Sequence, residues 1–365
     1  MSSTTPAFRL AILGTGNIAR HHLRAINEMA GRFTLSAVCD SNLEAARTFS
    51  ADMPDVRLYE NHHDMLAAGG FDAIIVTLPH YLHFALTADC VRAGFPVLVE
   101  KPLVCNVAEL RALEALATQS GVAVSAGQMR RFERDAVNAR RWIAGDPGRF
   151  GQLRSFDIQS WQNINAYINR VGSTHWLLDG QRAGGGVVIS LAIHQLDLLR
   201  FLTGCDFEEV FAMGSFDAPF HSGAESNASV LFRMNNGAVG TLHATYCAAR
   251  VPLSEAMTLF GQSGSLTQQI GAIGDYRGPF YVATEQGAQT LEFQDQYKGF
   301  QLADGSDVED MHEFSFVNQL VAFERAVRGA GPLVNSIAEN FNTIACIDAI
   351  ASSLKSGRPV AVEQR

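Results

Sequence analysis

Residues Gly14-Thr15-Gly16-Asn17-Ile18-Ala19 have the G-x-G-x-x-A spacing of a loop that cradles a pyrophosphate. The first glycine permits a tight turn, the second lets backbone close on the phosphates, and the small last residue lets a helix pack on a strand. Amides at the start of that helix then face the anion. The motif alone is weak, but its surroundings strengthen it. An apolar run, Phe8–Leu13, precedes it, a helical pattern, Asn17–Glu28, follows it, and Asp40 ends the next apolar run at the spacing of a ribose-binding acid. A carboxylate there accepts from ribose hydroxyls and repels a 2′-phosphate, so NAD is the expected cofactor and NADP the alternative. The plainer role for Asp40 is to cap the following turn at Ser41 and Asn42.

Three other places can do chemistry. One apolar run ends in Thr77-Leu78-Pro79-His80, and ligands sit at the C-terminal edge of a parallel sheet, so Thr77, Pro79 and His80 are expected to border the cofactor. The next run leads into Glu100-Lys101-Pro102. Lys101 can hydrogen-bond a substrate hydroxyl and stabilise the alkoxide that forms as hydride leaves. Glu100 can pair with a cation or hold the loop beside the cofactor, and Pro102 can fix it, a cis bond being one way. For an isolated Glu-Lys pair a surface salt bridge is the plainer account. Further on, Ser190, His194 and Asp197 fall at i, i+4 and i+7 of an otherwise apolar helix, a polar stripe that needs an explanation. A lone histidine there is more often a satisfied core residue. The preceding Gly184-Gly185-Gly186 shifts the balance, because it lets backbone or substrate approach the helix start. Trp161, Tyr167 and Trp176, interleaved with amides such as Asn163 and Asn165, suit a sugar-like substrate. An ordinary amphipathic loop is the bland alternative. Arg131, with Arg130, can attract a carboxylate.

The elements that must position these residues follow from periodicity. Short apolar runs at Phe8–Leu13, Leu35–Cys39, Val56–Tyr59, Asp72–Leu78, Pro96–Val99 and Val122–Ser125 alternate with helical patterns at Asn17–Glu28, Leu43–Ala51, His83–Ala93 and Val107–Ser120. Such alternation gives an α/β Rossmann domain with a doubly wound parallel sheet, expected over 1–127. After Gln128 the pattern changes. Strands are expected at Gly151–Ser160, Glu208–Phe216, Ser229–Met234, Ala238–Tyr246, Ala256–Phe260 and Ser265–Gln269, with Asn235-Asn236-Gly237 as a hairpin turn. Helices are expected at Val188–Leu202, Phe314–Arg328 and Ile337–Leu354. Residues 128–365 thus read as a substrate-binding α/β domain with an open, mainly antiparallel sheet, its C-terminal helix a candidate to pack back on the Rossmann domain.

Bulk composition narrows the classes. With 365 residues the chain suits two domains, and 47% hydrophobic against 18% charged residues supports large cores. A net charge of −9 argues against nucleic acid and anionic membranes as partners. The run of Arg130, Arg131, Arg134, Arg140 and Arg141 reads mainly as a solvated helix face. Six scattered cysteines with no C-x-x-C pair fit a reducing compartment, and no metal is expected. With no signal-peptide pattern and no membrane-length run, the cytoplasm is the expected location.

Together the motifs resemble the Gfo/Idh/MocA family, which includes glucose–fructose oxidoreductase and inositol dehydrogenase. The matching segments are GTGNIA at 14–19, the Pro79 and His83 positions of TLPHYLH, EKP at 100–102, GQMRRF at 127–132, GGGVVISLAIHQLD at 184–197 and SGRPV at 356–360. The resemblance covers nearly the whole chain. It implies an active site between the two domains, with Lys101 on the reacting hydroxyl and His194 as general base, acting on sugars, cyclitols or related polyols. It also implies a homodimer or homotetramer built through the second sheet. One departure stands out: Ser190 occupies a position where the family's dehydrogenases often carry Asp, and serine lends no negative charge to the histidine. Two alternatives follow, an isomerase, epimerase or eliminating enzyme that recycles NAD, and a non-catalytic NAD(P)-binding regulator.

Overall fold

The computed structural model describes residues 6–172, 174–249, 251, 253–271, 280–291 and 311–365. In chain order the elements are β1 (Phe8–Leu13), α1 (Asn17–Glu28), β2 (Phe33–Cys39), α2 (Leu43–Phe49), β3 (Arg57–Tyr59), α3 (His62–Ala68), β4 (Ala73–Val76), α4 (His80–Arg92), β5 (Val97–Glu100), α5 (Val107–Ser120), β6 (Val124–Gly127), α6 (Arg134–Gly145), β7 (Leu153–Trp161), α7 (Ile164–Val171), α8 (Gly180–Ala183), α9 (Ile193–Thr203), β8 (Phe207–Ser215), β9 (Asn227–Met234), β10 (Val239–Thr245), β11 (Ser254–Gly261), β12 (Gly264–Gly271), β13 (Tyr281–Thr284), β14 (Gly287–Thr290), α10 (Met311–Val327), α11 (Ile337–Ser356) and β15 (Val360–Ala361). Among the described residues the chain divides into two units, 6–104, 108–133 and 311–340 in one, and 105–107, 134–291 and 341–365 in the other.

The first unit holds a six-stranded sheet in the order β3-β2-β1-β4-β5-β6, and every pair is parallel. This is the doubly wound Rossmann order. Residues of β4, β5 and β6 are buried at every position, as strands covered on both faces must be. Helix α10 packs on α1, and Phe316, Val317 and Leu320 share a core with Phe8, Leu10, Ile12 and Ile26.

The second unit holds a nine-stranded sheet, β14-β13-β12-β11-β7-β10-β9-β8-β15, antiparallel except where β7 runs parallel to β10. Strands β9 and β10 alternate buried and exposed along their length. The buried face, with Ile158, Leu242 and Met257, receives α9 and the turn before it. The other face exposes Met213, Leu231, Val239 and Phe260. The hairpin at Asn235-Asn236-Gly237 closes through Met234 N–H to Ala238 O at 2.8 Å.

Several expectations shift. Helix α4 begins at His80, three residues early, with Pro79 at its N-cap. Strand β6 starts at Val124, not Val122, because the Val122 amide donates to Ala117 O and finishes α5. Helices α3, α6 and α7 were not expected. The arginine run is not one solvated face: Arg130 and Arg131 are 5% and 6% exposed in a 3₁₀ turn, Met129–Phe132, whereas Arg140 and Arg141 are exposed on α6. A buried guanidinium needs a partner, and Arg131 Nη1 has Glu339 Oε2 at 3.7 Å. Among the described residues one helical stretch, Gly180–Thr203, has the length and hydropathy of a membrane span, and 78% of its apolar window is buried inside the protein.

Candidate active site

In the first unit the glycine loop joins β1 to α1. Gly14 has φ +98°, and a Cβ there would lie 2.7 Å from Thr77 O, so both conformation and space require glycine. Thr77 Oγ1 donates to Gly14 O at 2.7 Å, which ties the loop to the end of β4. Gly16 is the N-cap of α1 and provides no side-chain cap. The first amides of the helix are therefore not taken by a capping side chain; Gly16 and Asn17 are exposed there, and Thr15 and Ile18 half-buried.

Asp40 ties the glycine loop to the turn that follows β2. Its Oδ2 accepts from Thr15 N–H at 2.8 Å and Thr15 Oγ1 at 2.6 Å, and its Oδ1 accepts from Asn42 N–H at 2.9 Å. A carboxylate offers about four acceptor sites, so roughly one remains on Oδ1 for a ribose hydroxyl. These residues fit a dinucleotide: a loop a Cβ would fill, a helix start without a side-chain cap, and a half-buried carboxylate beside it.

The turn after β5 is held from two sides. The Lys101–Pro102 bond is cis. Glu100 is 5% exposed; its Oε1 accepts from His22 Nε2 of α1 at 2.8 Å, and its Oε2 accepts from Lys101 N–H at 3.1 Å. Because a carboxylate only accepts, His22 carries its proton on Nε2. On the other side, the fully buried His83 of α4 has Nδ1 2.6 Å from Pro102 O and Nε2 2.7 Å from Leu78 O. Carbonyl oxygens only accept, so both bonds exist together only in the imidazolium. Burial lowers the His83 pKa overall, against the two carbonyls and Glu100, so the ring favours its neutral form and donates to one carbonyl at a time. His83 thus sits between the Pro79 turn and the Lys101 turn, in reach of both. His80, buried at the start of α4, has its ring 5.7 Å from that of His83. Sequence reading noticed His83 only as a motif position and missed His22, whose one signal was its place on the inner stripe of α1 with Ala19, Ala25 and Ile26.

The second unit carries the histidine helix. It begins with a wide π turn, Val188–Ala192, and continues as α9. A π turn puts an extra residue into each hydrogen-bonded ring and widens the helix around Ser190. Ser190 is 7% exposed and His194 half-buried. Glu225, itself 5% exposed, accepts from Gly186 N–H at 2.8 Å and Val188 N–H at 2.9 Å and caps the helix start. Burial pushes the Glu225 pKa up, against those amides. The glycines admit backbone: a Cβ on Gly186 would lie 1.9 Å from Glu225 O. Asp197 braces the helix, accepting from Thr343 Oγ1 of α11 at 3.4 Å, and Thr343 in turn accepts from Arg200 at 2.9 Å.

The substrate candidates scatter. Trp161 ends β7 on the face of His243, its ring edge-on at 6.2 Å, and the π turn and α9 cover the opposite face. Trp176 opens a short 3₁₀ turn and lies 5.2 Å from His175, whose pKa burial and then Arg182 push down. The side chain of Tyr167 lies outside the described residues. Lys101 and Arg131 belong to the first unit, and His194, Ser190, Trp161 and Trp176 to the second.

Comparison with known proteins places this architecture. The oxidoreductase family profile described as an NAD-binding Rossmann fold matches residues 8–128, and the Gfo/Idh/MocA C-terminal domain matches 137–267. The chain belongs to the Gfo/Idh/MocA family of oxidoreductases. It is 25% identical to D-apiose dehydrogenase of Paraburkholderia graminis over 99% of this chain and 92% of that protein. To myo-inositol 2-dehydrogenase of Thermotoga maritima it is 24% identical, over 71% and 74% respectively. The WlbA dehydrogenase from Bordetella pertussis, solved with NADH and UDP-GlcNAcA, shares the fold with a TM-score of 0.80 at 21% identity, over 99% of each chain.

Proposed function

We propose that this protein is an NAD-dependent dehydrogenase acting on a CH–OH group of a sugar, cyclitol or related polyol. The observation that carries the reading is the turn after β5. Its backbone is fixed by Glu100 on one side and His83 on the other, at the C-terminal edge of the Rossmann sheet, and Lys101 is its first residue. The dehydrogenases of apiose and inositol among the relatives support the substrate class.

The amides of Gly16, Asn17 and Ile18 would hold the pyrophosphate, since those of Gly14 and Thr15 already donate to Cys39 O and Asp40 Oδ2; Asp40 would take the ribose, and Thr77, Pro79, His80 and Glu100 would shape the adjoining floor. Bound NAD supplies the two-electron acceptor. Lys101 donates from Nζ to the substrate oxygen and lowers the cost of negative charge on it. His194 accepts the hydroxyl proton, and Ser190 orients the ring or the substrate. Trp176 is the aromatic we retain for the sugar face, because Trp161 lies on the sheet face away from α9.

The test is a screen of sugars, cyclitols and sugar acids with NAD and NADP, following absorbance and product identity. The expected outcome is one reduced cofactor per oxidised product, with NAD preferred. Product without net NADH would mean that the cofactor is recycled in an isomerisation, epimerisation or elimination. Cofactor binding without turnover on any compound would mean a regulator.

A further inference from the structure

Two histidines and an aspartate, none used above, meet between α3 and α4. His62 and His63 open α3, and Asp89 lies in α4, 27 positions after His62. His62 Nε2 is 3.1 Å from Asp89 Oδ2. The two imidazole centroids are 3.9 Å apart, tilted by 37°. One ligand-capable atom from each of the three residues lies within 4.8 Å of the other two.

A hydrogen bond accounts for His62 and Asp89 but not for His63. Successive residues on a helix point about 100° apart around its axis, so helical geometry alone does not lay the second ring over the first. Asn61 fixes the entry of α3 by accepting from the His63 amide at 2.8 Å. The Asp89 carboxylate is itself oriented, since Arg92 Nη1 donates to Oδ1 at 2.8 Å and leaves Oδ2 towards His62. A carboxylate with its far oxygen hydrogen-bonded is the outer-shell arrangement that tunes metal ligands. The side chains of His62 and Asp89 are 20% and 28% exposed, while His63 is on the solvent side, so an ion has an open approach.

We propose that His62, His63 and Asp89 form a site for a divalent transition-metal ion of the zinc class, joining the start of α3 to α4. Two imidazoles and a carboxylate suit Zn²⁺, Ni²⁺ or Cu²⁺, whereas Mg²⁺ and Ca²⁺ take oxygen ligands. With bonds of ~2.0–2.1 Å, tetrahedral ligand atoms stand roughly 3.3–3.4 Å apart. The His62–Asp89 separation already approaches that, and a small rotation of the His63 ring completes three ligands, with water as the fourth.

The test uses the full chain, freed of any histidine tag and stripped with a chelator. Zn²⁺ is titrated by calorimetry and Co²⁺ by visible absorption, at about pH 7.5. One ion per chain is expected, with a tetrahedral Co²⁺ band that Zn²⁺ displaces and excess Mg²⁺ does not, and Zn²⁺ should raise Tm. His63→Ala and Asp89→Asn should each weaken binding roughly tenfold or more and abolish the Tm rise. Circular dichroism and NAD binding of both variants should match the parent. Absence of stoichiometric binding, or binding unchanged in either correctly folded variant, overturns the site.

Discussion

The turn carrying Lys101 and the helix carrying His194 are built in opposite ways. At the first, side chains hold the backbone: Glu100 takes the Lys101 amide, His22 takes Glu100, and His83 clamps Pro102 O. At the second, the backbone itself is packed to contact, with Gly186 against the Glu225 main chain. The first region can lose the Lys101 side chain and keep these contacts, which use only its backbone, whereas the second has no room for one more carbon. Function in the first should therefore be separable from folding, and in the second the two should be entangled.

The largest expected effect tests that separability. Lys101→Ala should lower kcat on the order of 10²–10⁴-fold and leave NAD affinity and unfolding near the parent values. The measurement is steady-state kinetics on the substrate found in the screen, beside cofactor titration and thermal unfolding. A variant with normal turnover would reduce Lys101 to a structural residue, and one that unfolds early would erase the contrast with the second region. Gly186→Ala is the counterpart. A Cβ 1.9 Å from Glu225 O must push the helix start or the Glu225 strand approach aside. A loss of about 3–5 kcal/mol is expected in the transition of the second unit by urea unfolding. Gly145→Ala, where nothing lies within 4 Å of the added carbon, is the control and should be near neutral. If both behave alike, the close packing at Gly186 is not what shapes the helix start.

The same contrast explains what could be read in the sequence. The Rossmann half was legible because its determinants are local: Gly14 and Gly16 bend a loop next to the strand and helix they join, and Asp40 follows at a fixed interval. The strands β9 and β10 were legible through alternation and the Asn235-Asn236-Gly237 turn. The π turn was not, because its cap, Glu225, lies 37 residues beyond Val188. Nor was the burial of Arg131, whose partner Glu339 comes from near the end of the chain. Trp161 was read by composition alone, and composition does not say which face of a strand a residue takes. Strand period 2 sets it on the face opposite Ser160, which is fully buried.

A smaller effect sharpens the cofactor side. Asp40 already accepts three hydrogen bonds from the protein, so its loss should disturb the loop as well as selectivity. Asp40→Ala should weaken NAD binding and narrow the NAD-over-NADP preference by roughly tenfold, the worth of one charge-assisted contact. Dissociation constants for both cofactors measure this. An unchanged ratio with weaker binding of both would assign Asp40 wholly to the loop and its turn.

The smallest effect concerns Ser190. In an uninterrupted α-helix an Asp at 190 would sit one turn before His194 and favour the imidazolium, moving the rising limb of kcat/KM to higher pH for oxidation. The sign is fixed: a base held protonated by a neighbouring carboxylate becomes competent only at higher pH. His194 is only half-buried, and screening by water reduces the expected size. Ser190→Asp should therefore shift the limb by less than about one pH unit. His194→Ala supplies the reference and should flatten the limb and lower the rate. The quantity to follow is kcat/KM, since slow product release can mask the proton step in kcat. A shift well above one unit would mean that positions 190 and 194 face each other shielded from water. No shift, with a limb that His194→Ala still abolishes, would leave His194 as the base and remove Ser190 from its surroundings. A limb that survives His194→Ala would move the base elsewhere, with His175, already pushed towards its neutral form by burial and Arg182, the next side chain of the second unit to change.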